Sequence, residues 1–172
     1  VSFQSSLLNS EANLPSFNPQ WQTRELDIFR EWCLPDLQDT EYREITSVLV
    51  DAIDKIPKAF MHRDFHCRNI LLCQDDELGV IDFQGAMHGP VTYDLVSLLR
   101  DCYVDNDKQW IVQAVRSFQQ NLQSVGLPYA QVEPDEFLRW FDFAGLQRHL
   151  KCVGIFHRLK IRDGKPEYMN DV

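Results

Sequence analysis

Three polar residues in the middle of the chain have the types and the spacing that phosphoryl transfer requires. Asp64 precedes Asn69 by five residues, and Asp82 follows Asp64 by eighteen. Transfer of a phosphoryl group from ATP needs a carboxylate facing the acceptor hydroxyl and oxygen ligands for the divalent metal on the phosphates. Carboxylate and amide oxygens suit Mg²⁺ rather than zinc or copper. We therefore predict that Asp64 is the catalytic base and that Asn69 and Asp82 bind the metal.

Two short apolar runs beside these residues predict a β-hairpin that positions them. Residues 70–72 and 80–81 are apolar, and the polar segment between them contains Gly79. Short strands around a polar turn with glycine are typical of a hairpin. Asn69 then lies at the start of the first strand and Asp82 at the end of the second, so the hairpin brings them to the same end.

The rest of the chain has apolar residues at helical spacing. This period predicts helices over about 21–33, 39–56, 91–102, 110–125 and 134–161, the last with a candidate break near Gly145. Residues 1–20 are rich in Ser, Asn and Pro and are predicted to form an irregular arm or linker. One globular unit is predicted over residues 21–172.

Composition excludes several classes of protein. The net charge of −9 disfavours a nucleic-acid partner, and the 44 % hydrophobic content disfavours a disordered chain. No apolar run is long enough to span a bilayer. The five cysteines include no CxxC pair, so we predict reduced thiols in a cytoplasmic protein rather than a disulfide framework or a zinc site.

The segment that contains Asp64, Asn69 and Asp82 resembles a known family. The pattern His62-x-Asp64-x-x-x-x-Asn69 followed by Ile81-Asp82-Phe83 is similar to the catalytic and metal-binding loops of kinases. His66 and Gln84 stand where protein kinases usually have Lys and Gly. A His two residues after the catalytic Asp is typical of the aminoglycoside phosphotransferase and choline kinase-like superfamily. Residues 81–103 and 145–156 further resemble its bacterial anomeric N-acetylmuramate/N-acetylglucosamine kinase branch, and the whole resemblance spans about 21–172.

The resemblance implies an α+β, mostly helical fold, which is the C-terminal catalytic lobe of a protein-kinase-like structure with one small catalytic β-hairpin. It implies ATP and Mg²⁺ as cofactors and an N-acetylated amino sugar, phosphorylated at its anomeric hydroxyl, as the acceptor. His62, His66 and Asp94 are expected to support the catalytic loop. Sugar hydroxyls are recognised through hydrogen bonds, and the candidate contacts are Arg68, Arg100, Asp101, Gln147 and His149.

Two parts of a kinase of this superfamily are not found in the sequence. The seven glycines form no GxGxxG loop, and no lysine lies in a Val-Ala-Ile-Lys-like strand. We therefore expect the N-terminal nucleotide lobe to be missing and this chain to have little activity alone. Two alternatives stay open: a kinase for an aminoglycoside, choline, homoserine or another small alcohol, and a non-catalytic binding module built on a kinase lobe.

Overall fold

The structure is a computed structural model that describes residues 13–171, apart from the side chain at position 75. Helices make up most of these residues. The helices are α1 (Pro19–Cys33), α2 (Asp39–Asp54), α3 (Tyr93–Leu99), α4 (Lys108–Ser124) and α5 (Pro134–Asp163). The strands are β1 (Lys58–Met61), β2 (Ile70–Leu72), β3 (Leu78–Val80) and β4 (Met87–Pro90). The predicted mostly helical α+β fold is confirmed.

Local sequence signals explain where the long helices begin and end. Asn18 caps α1, because its side-chain oxygen accepts a hydrogen bond from the amide of Trp21 at 2.9 Å. Asp107 caps α4 in the same way, through the amide of Trp110 at 2.9 Å. Helix α5 begins with a proline and ends at Gly164, whose φ of 65° is the left-handed conformation that stops helices.

Helix α5 runs without interruption through Gly145, so the predicted break there is wrong. The glycine serves packing instead. A Cβ at this position would lie 3.3 Å from the side chain of Val96, which belongs to α3. Gly145 therefore allows α3 to lie close against α5, and this contact places α3 behind the candidate site.

The strands form two separate two-stranded antiparallel sheets. In the first, β2 pairs with β3, with Ile70 opposite Val80, which confirms the predicted hairpin. In the second, β1 pairs with β4, with Met61 opposite Met87. The prediction of a single hairpin missed this second sheet, because its strands are four residues long and far apart in sequence. Asp64 lies in the loop after β1, Asn69 lies directly before β2, and Asp82 lies two residues after β3.

An apolar core lies between the helices and the β1–β4 sheet. It includes Phe17, which is fully buried and whose amide donates a hydrogen bond to the carbonyl of His88 at 2.9 Å. The first twelve residues of the predicted arm lie outside the described residues. None of the helices in the described range is both long and apolar enough to cross a membrane. Other fully buried core residues are Leu26, Ile53, Met61, Val91, Tyr93, Val96, Phe137 and Phe141.

Helices α1 and α5 cross in backbone contact at Gly154, which leads to a stability prediction. A Cβ at Gly154 would lie 2.6 Å from the amide nitrogen of Phe29 and 2.8 Å from the carbonyl carbon of Ile28. Backbone atoms cannot move aside as a side chain can, so we expect Gly154→Ala to lower the free energy of unfolding by about 1–3 kcal/mol. Urea denaturation measures the change.

Gly145→Ala is the matched control in the same helix. There the new Cβ would meet only movable side chains, Val96 at 3.3 Å and Arg100 at 3.4 Å. Alanine also gains up to about 1 kcal/mol over glycine in a helix, which offsets a small clash. Equal stability of the two variants would contradict the backbone contact at Gly154.

Candidate active site

The three residues predicted to carry the chemistry meet where the strands end. The amide of Ile81 donates to the carbonyl of Asn69 at 3.1 Å, which sets the open ends of β2 and β3 side by side. As a result, Nδ2 of Asn69 lies 3.5 Å from Oδ2 of Asp82. The same Nδ2 donates to the backbone carbonyl of Asp64 at 2.9 Å. One asparagine therefore links the loop after β1 to the end of β3.

Asp82 occupies an unusual backbone conformation that turns its carboxylate toward this junction. Its φ of 67° and ψ of 37° are left-handed, a conformation that Asp tolerates better than most residues. Its Oδ1 accepts a hydrogen bond from the side-chain amide of Gln84. Gly85 follows in the same turn, and a Cβ there would lie 4.0 Å from Oδ2 of Asp64. The turn thus places Asp82 at the end of the hairpin, and the backbone of the turn passes close to Asp64 at Gly85.

The oxygen atoms at the hairpin end fit a magnesium ion that is shared with a phosphate ligand. Asp82 is exposed and offers a carboxylate, while the NH₂ group of Asn69 is engaged by Asp64, which leaves the amide oxygen as the ligand atom. Within residues 13–171 no group of three or more His, Cys, Asp and Glu side chains converges on a metal position. Mg²⁺ is typically held by one or two protein carboxylates, with waters and substrate phosphates as its other ligands. The donor set therefore suits Mg²⁺ and does not suit zinc.

Asp94 holds the loop that carries Asp64. Its two carboxylate oxygens accept hydrogen bonds from the amides of His62, at 2.7 Å, and Arg63, at 2.9 Å. Burial raises the pKa of the Asp94 carboxyl to about 6, and the two amide donors act against that rise. The imidazole of His62 is buried, with no hydrogen-bond partner for either ring nitrogen in the described chain, and packs edge-on against Phe65. Residues 62 and 63 are thus fixed from the start of α3.

Arg63 has a strained backbone immediately before Asp64. Its φ is 80°, which is rare for a long side chain. Glu25 of α1 stabilises this conformation, since its Oε1 accepts from Nη2 of Arg63 at 2.7 Å and from Nε at 3.0 Å. Strain of this kind persists only where surrounding contacts hold it. Here Asp94 fixes the amide of Arg63 and Glu25 fixes its guanidinium.

Glu25 also connects the loop to α5. Its Oε1 lies 3.2 Å from Nζ of Lys151, and its Oε2 accepts from the side-chain amide of Gln147 at 3.0 Å. Burial alone would raise the pKa of the Glu25 carboxyl, but Lys151, Gln147 and Arg63 together hold that pKa below its usual range. Glu25 is therefore a buried carboxylate at the centre of an ionic cluster, defined as Glu25, Arg63, Gln147 and Lys151.

We expect Glu25→Gln to lower the free energy of unfolding by about 3–5 kcal/mol, because it leaves the buried Lys151 and the half-buried Arg63 without their counter-charge. Asp27→Asn is the control on the same helix. Asp27 pairs with Arg43 at 2.7 Å, but both side chains are about one-third exposed. An exposed pair contributes up to about 1 kcal/mol, so the control should be nearly neutral in urea denaturation. Equal losses in the two variants would rule out a special role for the ionic cluster.

The second half of the catalytic loop is held by the segment after α3. Asp101 is buried, and its Oδ2 accepts from the amide of Cys67 at 2.8 Å. The ring of His66 packs edge-on against Tyr103, and burial lowers the pKa of the imidazole, so His66 is neutral at neutral pH. The guanidinium of Arg68 lies 3.4 Å from the centre of the Tyr103 ring.

The candidate acceptor contacts separate into different environments. Arg100 and His149 line a cleft of about 990 Å³ that opens between the segment after α3 and helices α4 and α5. Arg100 is paired with Asp142 at 2.7 Å, and a ring nitrogen of His149 lies 2.9 Å from the Arg100 carbonyl. Asp101 also lines the cleft, but backbone amides use both of its carboxylate oxygens. Gln147 is fully buried and faces Glu25 instead of the cleft.

Sequence reasoning missed Glu25, Lys151 and Gly85 as parts of this site. Glu25 and Lys151 carry no signal in the sequence, because charged residues on amphipathic helices are usually solvated. The position of Gly85, three residues after Asp82 in the same loop, did offer a signal. A glycine beside a metal-binding motif often marks close approach of the backbone to another group.

The family match gives the class of protein to which this fold belongs. Residues 6–128 match the phosphotransferase enzyme family known as APH. The chain belongs to this family, which confirms the resemblance to the aminoglycoside phosphotransferase superfamily.

Curated relatives extend the similarity over nearly the whole chain. The chain is 36 % identical over 170 residues to the N-acetylmuramate/N-acetylglucosamine kinase of Neisseria meningitidis, covering 94 % of this chain and 50 % of that protein. It is 36 % identical to the kinase of the same name from Pseudomonas putida, and this match covers 96 % of this chain and 50 % of that protein. It is 37 % identical to the kinase of the same name from Pseudomonas aeruginosa, and this match covers 92 % of this chain and 49 % of that protein. The chain spans about half the length of the curated relatives it matches.

Proposed function

We propose that this chain forms the acceptor- and metal-binding part of an ATP-dependent kinase that phosphorylates a hydroxyl of an N-acetylated amino sugar. The observation that carries the proposal is the meeting of Asp64, Asn69 and Asp82 at one junction. Membership of the phosphotransferase family supports the reaction type. The names of the relatives support the acceptor class. The anomeric hydroxyl is proposed from the resemblance of residues 81–103 and 145–156 to the anomeric kinase branch.

In the proposed reaction Asp64 orients the acceptor hydroxyl and takes its proton as the oxygen attacks the γ-phosphorus of ATP. Asp64 suits this role because its backbone, rather than its carboxylate, makes the hydrogen bonds that fix the loop. Its carbonyl accepts from Asn69 at 2.9 Å and from the amide of His66 at 3.1 Å. The carboxylate is half-buried and adjoins Gly85, which leaves room beside it for a substrate hydroxyl.

Asp82 and the amide oxygen of Asn69 would hold Mg²⁺. When bound, the metal would neutralise the charge that develops on the phosphates during transfer. The protein's own part is to fix these two ligands. Asn69 is held through Asp64 and the Ile81 amide, and Gln84 donates to Asp82.

The cleft beside Arg100 and His149 is the proposed position of the acceptor. Its walls carry both signs of charge, including Asp105 and Lys108, which are exposed. Of its aspartates, Asp142 pairs with Arg100, and Asp101 accepts a hydrogen bond from a backbone amide of the catalytic loop. A cleft whose carboxylates are largely engaged favours a neutral amide-bearing sugar over a polycationic aminoglycoside.

The test is an acceptor screen with the full-length protein that contains this chain, ATP and Mg²⁺. We expect phosphorylation of N-acetylmuramate or N-acetylglucosamine and much slower phosphorylation of aminoglycosides, choline and homoserine. Faster phosphorylation of an aminoglycoside, choline or homoserine would show that the proposed acceptor is wrong, while the proposed reaction type would stand. Absence of ATP turnover with every acceptor, together with metal-dependent nucleotide binding, would favour a binding module instead.

A further inference from the structure

We propose that Cys102 and Cys152 form a reactive thiol pair that a hydroperoxide oxidises to a disulfide, and that the buried guanidinium of Arg148 keeps the Cys102 sulfur as a thiolate. Neither cysteine takes part in the chemistry proposed for Asp64. The inference therefore stands independently of the proposed function.

The pair is formed by two elements that meet behind the catalytic loop. Cys102 follows α3, while Arg148 and Cys152 lie one helical turn apart on the same face of α5. The Nη1 atom of Arg148 is 3.9 Å from Sγ of Cys102. The two thiols line the same cleft, and each shifts the pKa of the other. A cation thus contacts the Cys102 sulfur, and a second thiol lies beside it.

Arg148 lacks the carboxylate partner that other inward-facing cations have. Its side chain is only 5 % exposed. Arg63 and Lys151 both reach Glu25, and Arg100 reaches Asp142, but no carboxylate within residues 13–171 lies at ion-pair distance from Arg148. A buried guanidinium stays charged and is costly without an anion. The contacts of Arg148 therefore leave a thiolate as its counter-charge.

Among the ionisable groups facing Arg148, Cys102 is best placed to supply that anion. Burial raises the pKa of the Tyr93 phenol, which keeps it neutral. The neighbouring Cys152 thiol and the charge of Arg148 lower the pKa of Cys102 to about 6, against the opposing effects of burial and Asp101. The neighbouring Cys102 sulfur and burial raise the pKa of Cys152, against the effect of nearby Arg148 and Lys151. The pair thus shares one proton, which resides on Cys152.

Both sulfurs are accessible to a small oxidant. Cys102 and Cys152 line the cleft of about 990 Å³ described above, and each is only half-buried. A hydroperoxide is much smaller than this cleft. Access alone does not set this pair apart, since Cys67 and Cys73 are more exposed. For Cys67, burial and Asp101 raise the thiol pKa.

The chemistry proceeds in two balanced steps with hydrogen peroxide as the oxidant. The Cys102 thiolate attacks one peroxide oxygen, the O–O bond breaks, and the leaving hydroxide takes a proton to give water and a sulfenic acid. The Cys152 sulfur then attacks the sulfenic sulfur, the S–O bond breaks, and the thiol proton leaves with the second water. The product disulfide would tether residues 101–103, which hold the catalytic loop, to α5.

The first test exposes the reduced protein to limiting hydrogen peroxide and maps its peptides by mass spectrometry. We expect a Cys102–Cys152 disulfide, with loss of two hydrogen atoms, before oxidation of Cys67 or Cys73. In Cys152→Ser the resolving thiol is absent, so a 1,3-dione reagent should label Cys102 as a sulfenic acid. Earlier oxidation of Cys67 or Cys73, or no link between residues 102 and 152, would overturn the proposal.

The second test measures the alkylation rate of each cysteine by iodoacetamide between pH 5 and 8. The rate at Cys102 should level off near pH 7, whereas the rate at Cys33, whose thiol pKa is raised by burial, should keep rising by about tenfold per pH unit, since only the thiolate reacts. Arg148→Met should move the Cys102 profile to higher pH, and Arg148→Lys should largely preserve it. Parallel profiles for Cys102 and Cys33 in the unmodified protein contradict a thiolate, whether or not the variants fold.

Discussion

Asp64→Asn is expected to lower the turnover of the full-length enzyme by about 10²–10⁴-fold, the usual contribution of a positioned general base. The substitution removes only the ability of this side chain to take a proton. The hydrogen bonds that fix the loop use the backbone carbonyl of residue 64, and they survive the change. Steady-state kinetics with saturating ATP and acceptor measures the loss, and nucleotide affinity should remain close to that of the unmodified enzyme.

Asp76→Asn is the matched control for this experiment. Asp76 lies in the turn at the far end of the same hairpin and is exposed, with a φ of 58° that asparagine also adopts readily. Turnover of the control should be unchanged. Turnover of Asp64→Asn within a few-fold of the unmodified enzyme would remove Asp64 from the proposed mechanism.

Asp82→Asn is expected to weaken Mg²⁺ binding and to lower turnover by at least about 100-fold at a fixed, low Mg²⁺ concentration. Loss of a metal ligand removes a few kcal/mol of charge stabilisation, and each 1.36 kcal/mol corresponds to tenfold in rate. Asparagine tolerates the φ of 67° at this position, so the backbone should keep its conformation. The decisive measurement is the Mg²⁺ dependence of turnover, which should shift to higher concentration.

The same Mg²⁺ titration separates Asp82 from Asp64. Asp64→Asn should reduce the maximal rate without shifting the Mg²⁺ dependence, whereas Asp82→Asn should shift it. An Asp82→Asn enzyme with an unchanged requirement for Mg²⁺ would show that the metal is held elsewhere.

Local patterns made much of the candidate site predictable from sequence. The polar segment at residues 74–79 predicts the hairpin, although β3 begins earlier than predicted, at Leu78. A hairpin necessarily brings the residues on either side of it together. Asn69 and Asp82 therefore had to meet once β2 and β3 paired. Asp64 is only five residues from Asn69, so its place follows from the same short segment.

Contacts between distant segments were not predictable, because no local period records them. Strand β1 pairs with β4 although the paired residues Met61 and Met87 lie 26 positions apart. Asp101 was expected to contact the acceptor, yet its carboxylate binds the amides of Cys67 and Tyr103. An aspartate carboxylate can accept hydrogen bonds from a substrate and from backbone amides equally well. Only the position of the loop relative to α3 decides between them.

The ionic cluster around Glu25 has a consequence for the order in which the protein is made. Glu25 and Gln147 lie 122 positions apart, so the ribosome releases Gln147 long after Glu25. The strained conformation of Arg63 is held only when Glu25 is in place, and Glu25 needs α5 for its remaining partners. We expect the catalytic loop to stay unformed during synthesis until α5 has folded, so an incomplete chain should not display a working phosphotransfer site.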